Sequence, residues 1–238
     1  MRDEFKGIAS IMIGTPGRIT DILRRRFVNS ADIKLMILDE ADELLSNSFV
    51  DQTKDIIKMM SQKTQICIFS ATLPLFVIDI TKHFMKDPKK ILIKRDELTL
   101  EGIKQFYVDV MQEQYKYGTL CDLYETISIN QAIIFVNNIN KTQELLDRLT
   151  KDNHTVAIIN SDMTKVERAT VMDEFRKGKA RTLVSTDLLS RGIDIQQVSL
   201  VINYDLPYKK ECYIHRIGRS GRFGRKGVAI NFVTRQDR

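Results

Sequence analysis

Short runs of β-branched and apolar residues punctuate the chain, and amphipathic stretches separate them. The runs are Ile11–Ile13, Leu35–Leu38, Ile66–Phe69, Ile91–Ile93, Phe106–Val110, Ala132–Val136, Val156–Ile159, Thr182–Val184, Leu200–Ile202 and Val228–Val233. They are brief and rich in β-branched and apolar residues, which predicts strands mostly buried on both faces. Val50–Met60, Leu75–Phe84, Gln114–Ile127, Lys141–Lys151 and Lys165–Lys177 have helical length. In the last of these, Val166, Ala169, Met172 and Phe175 recur at three-residue spacing and Val171 broadens the stripe, so one apolar face should meet a sheet. Strands alternating with helices predict βαβ units and parallel sheets, an α/β fold.

Punctuation divides the chain. Pro16 and Pro74 stand where helices should begin, because a first-turn residue needs no N–H. Lys94–Gly102 is polar and charged without long periodicity. It predicts an interdomain linker, placed at 95–102, between a short first domain (1–94) and a fuller second domain (103–238). No short-period repeat or low-complexity tract interrupts either portion.

Composition changes this picture little. The 238 residues are 43% hydrophobic and 29% charged, ordinary for a globular chain, so disorder is not expected. The net charge of +6 is compatible with a polyanionic partner but does not demand one. Cys67, Cys121 and Cys212 are far apart and form no Cys-x-x-Cys pair, which argues against a zinc site or a disulfide framework. Reduced thiols in an intracellular protein are the better reading. No apolar run approaches a membrane span, and the first ten residues do not resemble a signal peptide. The expected address is cytoplasmic, with a nuclear one left open.

Five segments carry candidate chemistry. Leu35–Leu38 runs into Asp39, Glu40, Ala41 and Asp42. A strand that delivers carboxylates to the C-terminal edge of a parallel sheet can hold Mg2+ through water and orient an attacking water. An acidic helix start would look the same, and taken alone is at least as good a reading. Ser70-Ala71-Thr72 follows the next strand, where a helix cap or a polar hinge both fit. Gly14-Thr15-Pro16-Gly17-Arg18 opens a helix whose N–H groups could meet a phosphate, or is a plain turn. Ser185-Thr186-Asp187 precedes Arg191-Gly192-Ile193-Asp194. Finally, His215-Arg216-Ile217-Gly218-Arg219-Ser220-Gly221-Arg222 packs arginines between glycines. That segment looks unlike a core element. A solvated basic face explains it, and so do forked contacts to phosphate oxygens.

The joint order of these segments resembles the DEAD-box RNA helicases, in which two RecA-like domains face each other. TPGR, DEAD and SAT belong to that family's first domain, and STD, RGID and HRIGRSGR to its second. Asp96–Tyr107, Leu120–Tyr124, Gln196–Asp205 and Arg222–Asn231 are similar to the branch of initiation factor 4A and its exon-junction relative, and Asp194-Ile195-Gln196-Gln197 leans toward the translation factor. The resemblance implies two RecA-like parallel-sheet domains, the first incomplete, and an ATP- and Mg2+-dependent enzyme that unwinds single-stranded or duplex RNA, expected to be mRNA. A translation-initiation scaffold protein is the implied partner. Asp39 would hold the magnesium shell and Glu40 would activate water. Asp42, Ser70 and Thr72 would link that acidic site to His215. Arg219 and Arg222 would be arginine fingers, Asp194 would contact ribose and Phe223 adenine. Thr15, Gly17, Arg18 and Thr186 would grip RNA phosphates.

The chain departs from the family in places. It contains no G-x-x-x-x-G-K-[ST], so no phosphate-cradling loop is supplied, and it reads as an N-terminally truncated helicase core. Asn137-Asn138-Ile139-Asn140-Lys141 stands where an N-T-R-R-K-like segment is expected, and Lys165 where the family often has glutamine. Two rivals remain: a non-catalytic RNA- or scaffold-binding remnant, and a DNA translocase of the same superfamily. The DEAD and HRIGR sequences argue against the translocase.

Overall fold

The computed structural model describes residues 10–46, 49–92, 102–127, 130–190, 198–221 and 226–238. They form two compact units, Met1–Leu92 and Ile93–Arg238.

In the first unit, helix α1 (Pro16–Arg24) is followed by strand β1 (Leu35–Leu38), a single turn α2 (Ala41–Leu44), helix α3 (Val50–Met59), strand β2 (Gln65–Ile68) and helix α4 (Leu75–Thr81). The strands pair in parallel, with Leu38 opposite Ile68, so both chains leave the sheet at the same edge. Leu38, Ala41, Leu45 and Val77 form the core, with Met36 and Ile68 packed against them. Ile11–Ile13 is not a strand: Ile13 is 93% exposed. A strand needs a ladder partner for its N–H and C=O groups, and the described residues offer this run none. Ile91 and Leu92 are likewise exposed and unpaired by any strand, while Ile93 lies outside the described residues.

The second unit is built on a six-stranded sheet of order β3-β8-β7-β4-β6-β5, every adjacent pair parallel. Its strands are β3 (Ile103–Met111), β4 (Ala132–Phe135), β5 (Val156–Ile159), β6 (Thr182–Ser185), β7 (Leu200–Asn203) and β8 (Gly227–Thr234). Helices α5 (Lys116–Thr126), α6 (Ile139–Lys151), α7 (Lys165–Arg176) and α8 (Lys210–Ile217) connect them. Side-chain alternation splits the core in two. Ala132 and Ile134 on β4, Val184 on β6, and Leu200 and Ile202 on β7 join Leu120 of α5 with Leu145 and Leu149 of α6. Ile133, Phe135, Leu183 and Val201 point the other way, to Met172 and Phe175 of α7. This is why β4, β6 and β7 are buried along their whole length: both faces are covered. Each such buried side chain stabilises the unit by about 1.5–3 kcal/mol.

Two expectations need correcting here. β3 and β1 are largely exposed rather than buried on both faces, because β3 lies at a sheet edge and β1 in a sheet of two strands. On α7 the apolar stripe does not run its full length. Met172 and Phe175 are buried, but Val166 is 76% exposed and Ala169 is exposed. The helix starts with a Thr164–Glu167 capping box and faces β5, the last strand of the sheet, so only its second half finds core to cover.

Candidate functional site

The acidic turn grows directly from the β1–β2 pairing. Phe69 donates its N–H to the Leu38 carbonyl at 2.8 Å, and Ala41 donates to the Phe69 carbonyl at 3.1 Å. These bonds bring Asp39–Asp42 against Ser70–Thr72 at the C-terminal edge of the sheet. Glu40 takes the left-handed conformation, φ 52°, which reverses the chain into α2. Asp39 is exposed, and its Oδ1 accepts the Glu40 N–H at 3.0 Å.

Asp42 is buried and both of its carboxylate oxygens are engaged. Thr72 Oγ1 donates to Oδ2 at 2.7 Å. The Ser70 hydroxyl has one proton and two acceptors in reach, Asp42 Oδ1 at 3.0 Å and the Thr72 carbonyl at 2.6 Å. Asp42 also donates its own N–H to Ser70 Oγ at 3.3 Å. The acidic and hydroxyl segments are thus one hydrogen-bonded structure, not two separate caps.

Thr15, Gly17 and Arg18 lie at the exposed start of α1. Thr15 stands at the N-cap without a side-chain capping bond, and Pro16 occupies the first turn. Arg18 lies 3.9 Å from Asp21.

In the second unit, Thr186 is half-buried at the end of β6 and Asp187 follows it on the surface. His215 sits in the last turn of α8 and is buried, as is Arg219, whose Nε donates to the His215 carbonyl at 3.2 Å. The described part of the basic motif is therefore interior, contrary to its reading as unlike a core segment. Arg216 is the clearest case, with no exposed surface. Apolar patterning does not announce it, because its burial rests on hydrogen bonding. Asp194, Arg222 and Phe223 lie outside the described residues.

The sequence reading missed a second polar cluster. Asp205 is buried just past β7. Its Oδ1 accepts from Lys116 Nζ at 2.7 Å and Lys141 Nζ at 2.9 Å, and its Oδ2 accepts the Asn137 N–H at 3.0 Å. Glu113 bridges the same two ammonium groups at 2.8 and 2.6 Å. Burial pushes the Asp205 carboxyl up, but the Asn137 N–H and the two lysines outweigh it and hold the group below the usual carboxylate range. Burial likewise pulls Lys141 down, and Glu113 with Asp205 carries it above the ordinary lysine value. Lys141, which reads as the one basic residue left in its segment, is turned to an internal carboxylate. The only sequence hint of this cluster is an Asp placed two residues after an apolar strand.

Comparison with known proteins matches residues 1–80 to the DEAD/DEAH box helicase family and residues 115–224 to the helicase conserved C-terminal domain. The chain is 55% identical over its whole length to an ATP-dependent RNA helicase eIF4A of Debaryomyces hansenii and 57% identical over 99% of its length to that of Kluyveromyces lactis. It spans about 60% of the length of these relatives. Among solved structures it is similar to S. cerevisiae Dbp5 bound to RNA and ADP BeF3, with a TM-score of 0.87 and 38% identity over 96% of this chain and 60% of that one. The C-terminal domain of the DEAD-box protein Dbp5 is 43% identical, with a TM-score of 0.54, over 58% of this chain and 81% of the domain.

Proposed function

The chain belongs to the DEAD-box helicase family, and from that premise we propose that it is part of an ATP-dependent RNA helicase of the initiation factor 4A type. The reading is carried by one observation: the carboxylate of Asp42 is held at both oxygens by Ser70 and Thr72, at the strand edge that also presents Asp39 and Glu40. In this reading Asp39 and Glu40 divide the work. Asp39 offers an exposed, hard oxygen donor that would hold Mg2+ through water, and that ion would supply positive charge to offset the phosphates. Glu40 orients and deprotonates the attacking water. The Asp42–Ser70–Thr72 contact holds the acidic turn against the hydroxyl segment and keeps these two carboxylates in register. Arg219 and Arg222 stabilise charge in phosphoryl transfer, and Asp194 and Phe223 take ribose and adenine.

RNA is gripped by its backbone. Thr15, Gly17 and Arg18 supply a helix start and a guanidinium, and Thr186 adds a contact from the second unit. Such binding is sequence-independent and salt-sensitive. The substrate is mRNA, the partner is a translation-initiation scaffold and the setting is the cytoplasm. No helix among the described residues is long and apolar enough to cross a membrane.

A second reading, an RNA- or scaffold-binding module, is favoured by the lack of any G-x-x-x-x-G-K-[ST] in these 238 residues. Positioning contributes about 7–11 kcal/mol of barrier reduction in favourable cases, and Asp39 and Glu40 cannot replace a cradle of backbone N–H groups. RNA-stimulated phosphate release separates the two. The chain alone should be inert, and a version extended with a matched N-terminal segment from a relative should be active and silenced by Glu40→Gln. An inert extended protein that still binds RNA supports the module. Stimulated turnover by the unextended chain, absent in its Glu40→Gln variant, refutes the requirement for the cradle.

A further inference from the structure

Arg216 lies inside the basic motif yet is fully buried, and its partners come from loops at one edge of the sheet. Nε donates to Asp187 Oδ1 at 2.6 Å, in the loop after β6. Nη2 donates to Asn137 Oδ1 at 2.7 Å, just after β4. Nη1 donates to the Asp205 carbonyl at 2.7 Å and to Asn203 Oδ1 at 3.4 Å, at the end of β7. The guanidinium carbon also lies 5.2 Å from the Phe135 ring centre. β4, β6 and β7 are the central strands of the sheet, so one side chain ties together the loops leaving all three.

The acceptors are themselves fixed. Asn137 donates its N–H to Asp205 Oδ2 and its side-chain N–H to the Leu206 carbonyl at 2.7 Å, so its oxygen is aimed at Arg216. Asn203 donates to Asn231 Oδ1 at 2.8 Å, leaving its own oxygen for the guanidinium. Only a planar fork with several N–H directions reaches these loops at once; a lysine ammonium carries the same charge but cannot span them. Asp187 adjoins Thr186, the second-unit residue expected to grip RNA, and Asn137 opens the segment that stands in place of the family's N-T-R-R-K-like run without its arginines.

We propose that Arg216 is a positioning residue for RNA binding. It touches no phosphate; it ties the loop after β6 to the loop after β4 and so holds Thr186 in the arrangement that presents it to the RNA backbone. The inference rests on the RNA-binding reading above.

The assay is binding of a labelled single-stranded oligouridylate to the full 238-residue chain across a salt series. Arg216→Lys should weaken binding about tenfold, the scale of one or two charge-assisted bonds lost, without changing the salt slope. Asp187→Asn provides a sign test. Removing an acidic charge should by electrostatics alone strengthen binding to a polyanion, whereas loss of the positioning bond should weaken it. The double variant should be no weaker than Arg216→Lys alone. A slope that falls by about 0.7 in Arg216→Gln shows direct phosphate contact and overturns the proposal. So does tighter binding by Asp187→Asn, or affinity unchanged in all variants despite a lowered melting temperature.

Hydrogen exchange separates failure of this inference from failure of the RNA reading. In Asp187→Asn the amides of 137–140 and 186–189 should lose protection together while those of α5 do not. If the unmodified chain binds no RNA, the RNA reading fails, and coupled loss of protection still supports Arg216 as the tie. Independent behaviour of the two loops refutes it.

Discussion

Replacing Asp205 with Asn removes a negative charge from a buried site that holds two ammonium groups, with almost no change of shape. Lys116 is the group most affected, since it is buried and only 2.7 Å from Asp205 Oδ1. Removing one partner of a buried pair costs about 3–5 kcal/mol, because the other charge is left in a medium that solvates it poorly. Here Glu113 still reaches Lys116 at 2.8 Å, which places the cost near ~3 kcal/mol. The new amide must also turn its single oxygen either to the lysines or to the Asn137 N–H, and cannot serve both as the carboxylate does. For a unit of about 150 residues this lowers Tm by about 6–12 °C.

Thermal unfolding of Asp205→Asn, Lys116→Met and the double variant provides the assay. The double variant should be less destabilised than the sum of the singles, by about 1 kcal/mol or more, because neutralising Lys116 removes the unpaired charge. The pH dependence has a definite sign. Asp205 titrates below its unfolded value of about 3.9, so its contribution is fully present above that pH and is lost as pH falls through the lower folded value. The Tm gap between wild type and Asp205→Asn should therefore close in strong acid. Lys141 titrates above its unfolded value, so its contribution is present at neutral pH and fades as pH rises through the folded value. A Tm change under about 2 °C for Asp205→Asn, or additive singles, would refute the reasoning.

Three further outcomes are expected. Gly227→Ala should destabilise the second unit by about 1–3 kcal/mol, since a Cβ there would sit 2.6 Å from Ser220 Oγ and 2.7 Å from the Gly221 nitrogen; an unchanged melting curve counts against that close approach. Thr72→Val keeps the shape but removes the hydroxyl that donates to Asp42 Oδ2, so urea unfolding of the first unit should shift by about 1.5–3 kcal/mol, and no shift would mean that the bond contributes nothing. Residues 103–238 expressed alone should melt in one cooperative transition, because the six-stranded sheet closes over its own two core faces; a broad, gradual melt would show that the rest of the chain is needed.

Elements whose formation depends on local pattern could be read from the sequence. Val156–Ile159 is a strand with the expected limits, and the doubly buried β4, β6 and β7 follow from short, largely apolar runs. Features that depend on partners could not. Ile11–Ile13 has the composition of a strand but no ladder, and Val166 has the right helical phase but no core opposite it. At the site, the acidic and hydroxyl segments were visible as motifs, and their hydrogen-bonded union follows from two adjacent parallel strands ending together. Arg216 and Asp205 were opaque because a hydropathy pattern assigns charged residues to water. Their burial is decided by hydrogen-bond partners that lie between 11 and 89 positions away in sequence.

The position of β3 bears on how the protein is made. It is the first strand of its sheet to leave the ribosome, yet its neighbour is β8, the last. β8 inserts between β3 and β7, so a nascent chain carries β3 without a ladder until nearly the whole unit has been synthesised. Phe106 and Tyr107 stay exposed on that strand even in the finished fold. During translation both its edges are open to other chains, the condition under which strands aggregate. Slow decoding between β3 and β8 should therefore lower soluble yield, and a circular permutant that brings β8 next to β3 in sequence should escape that dependence.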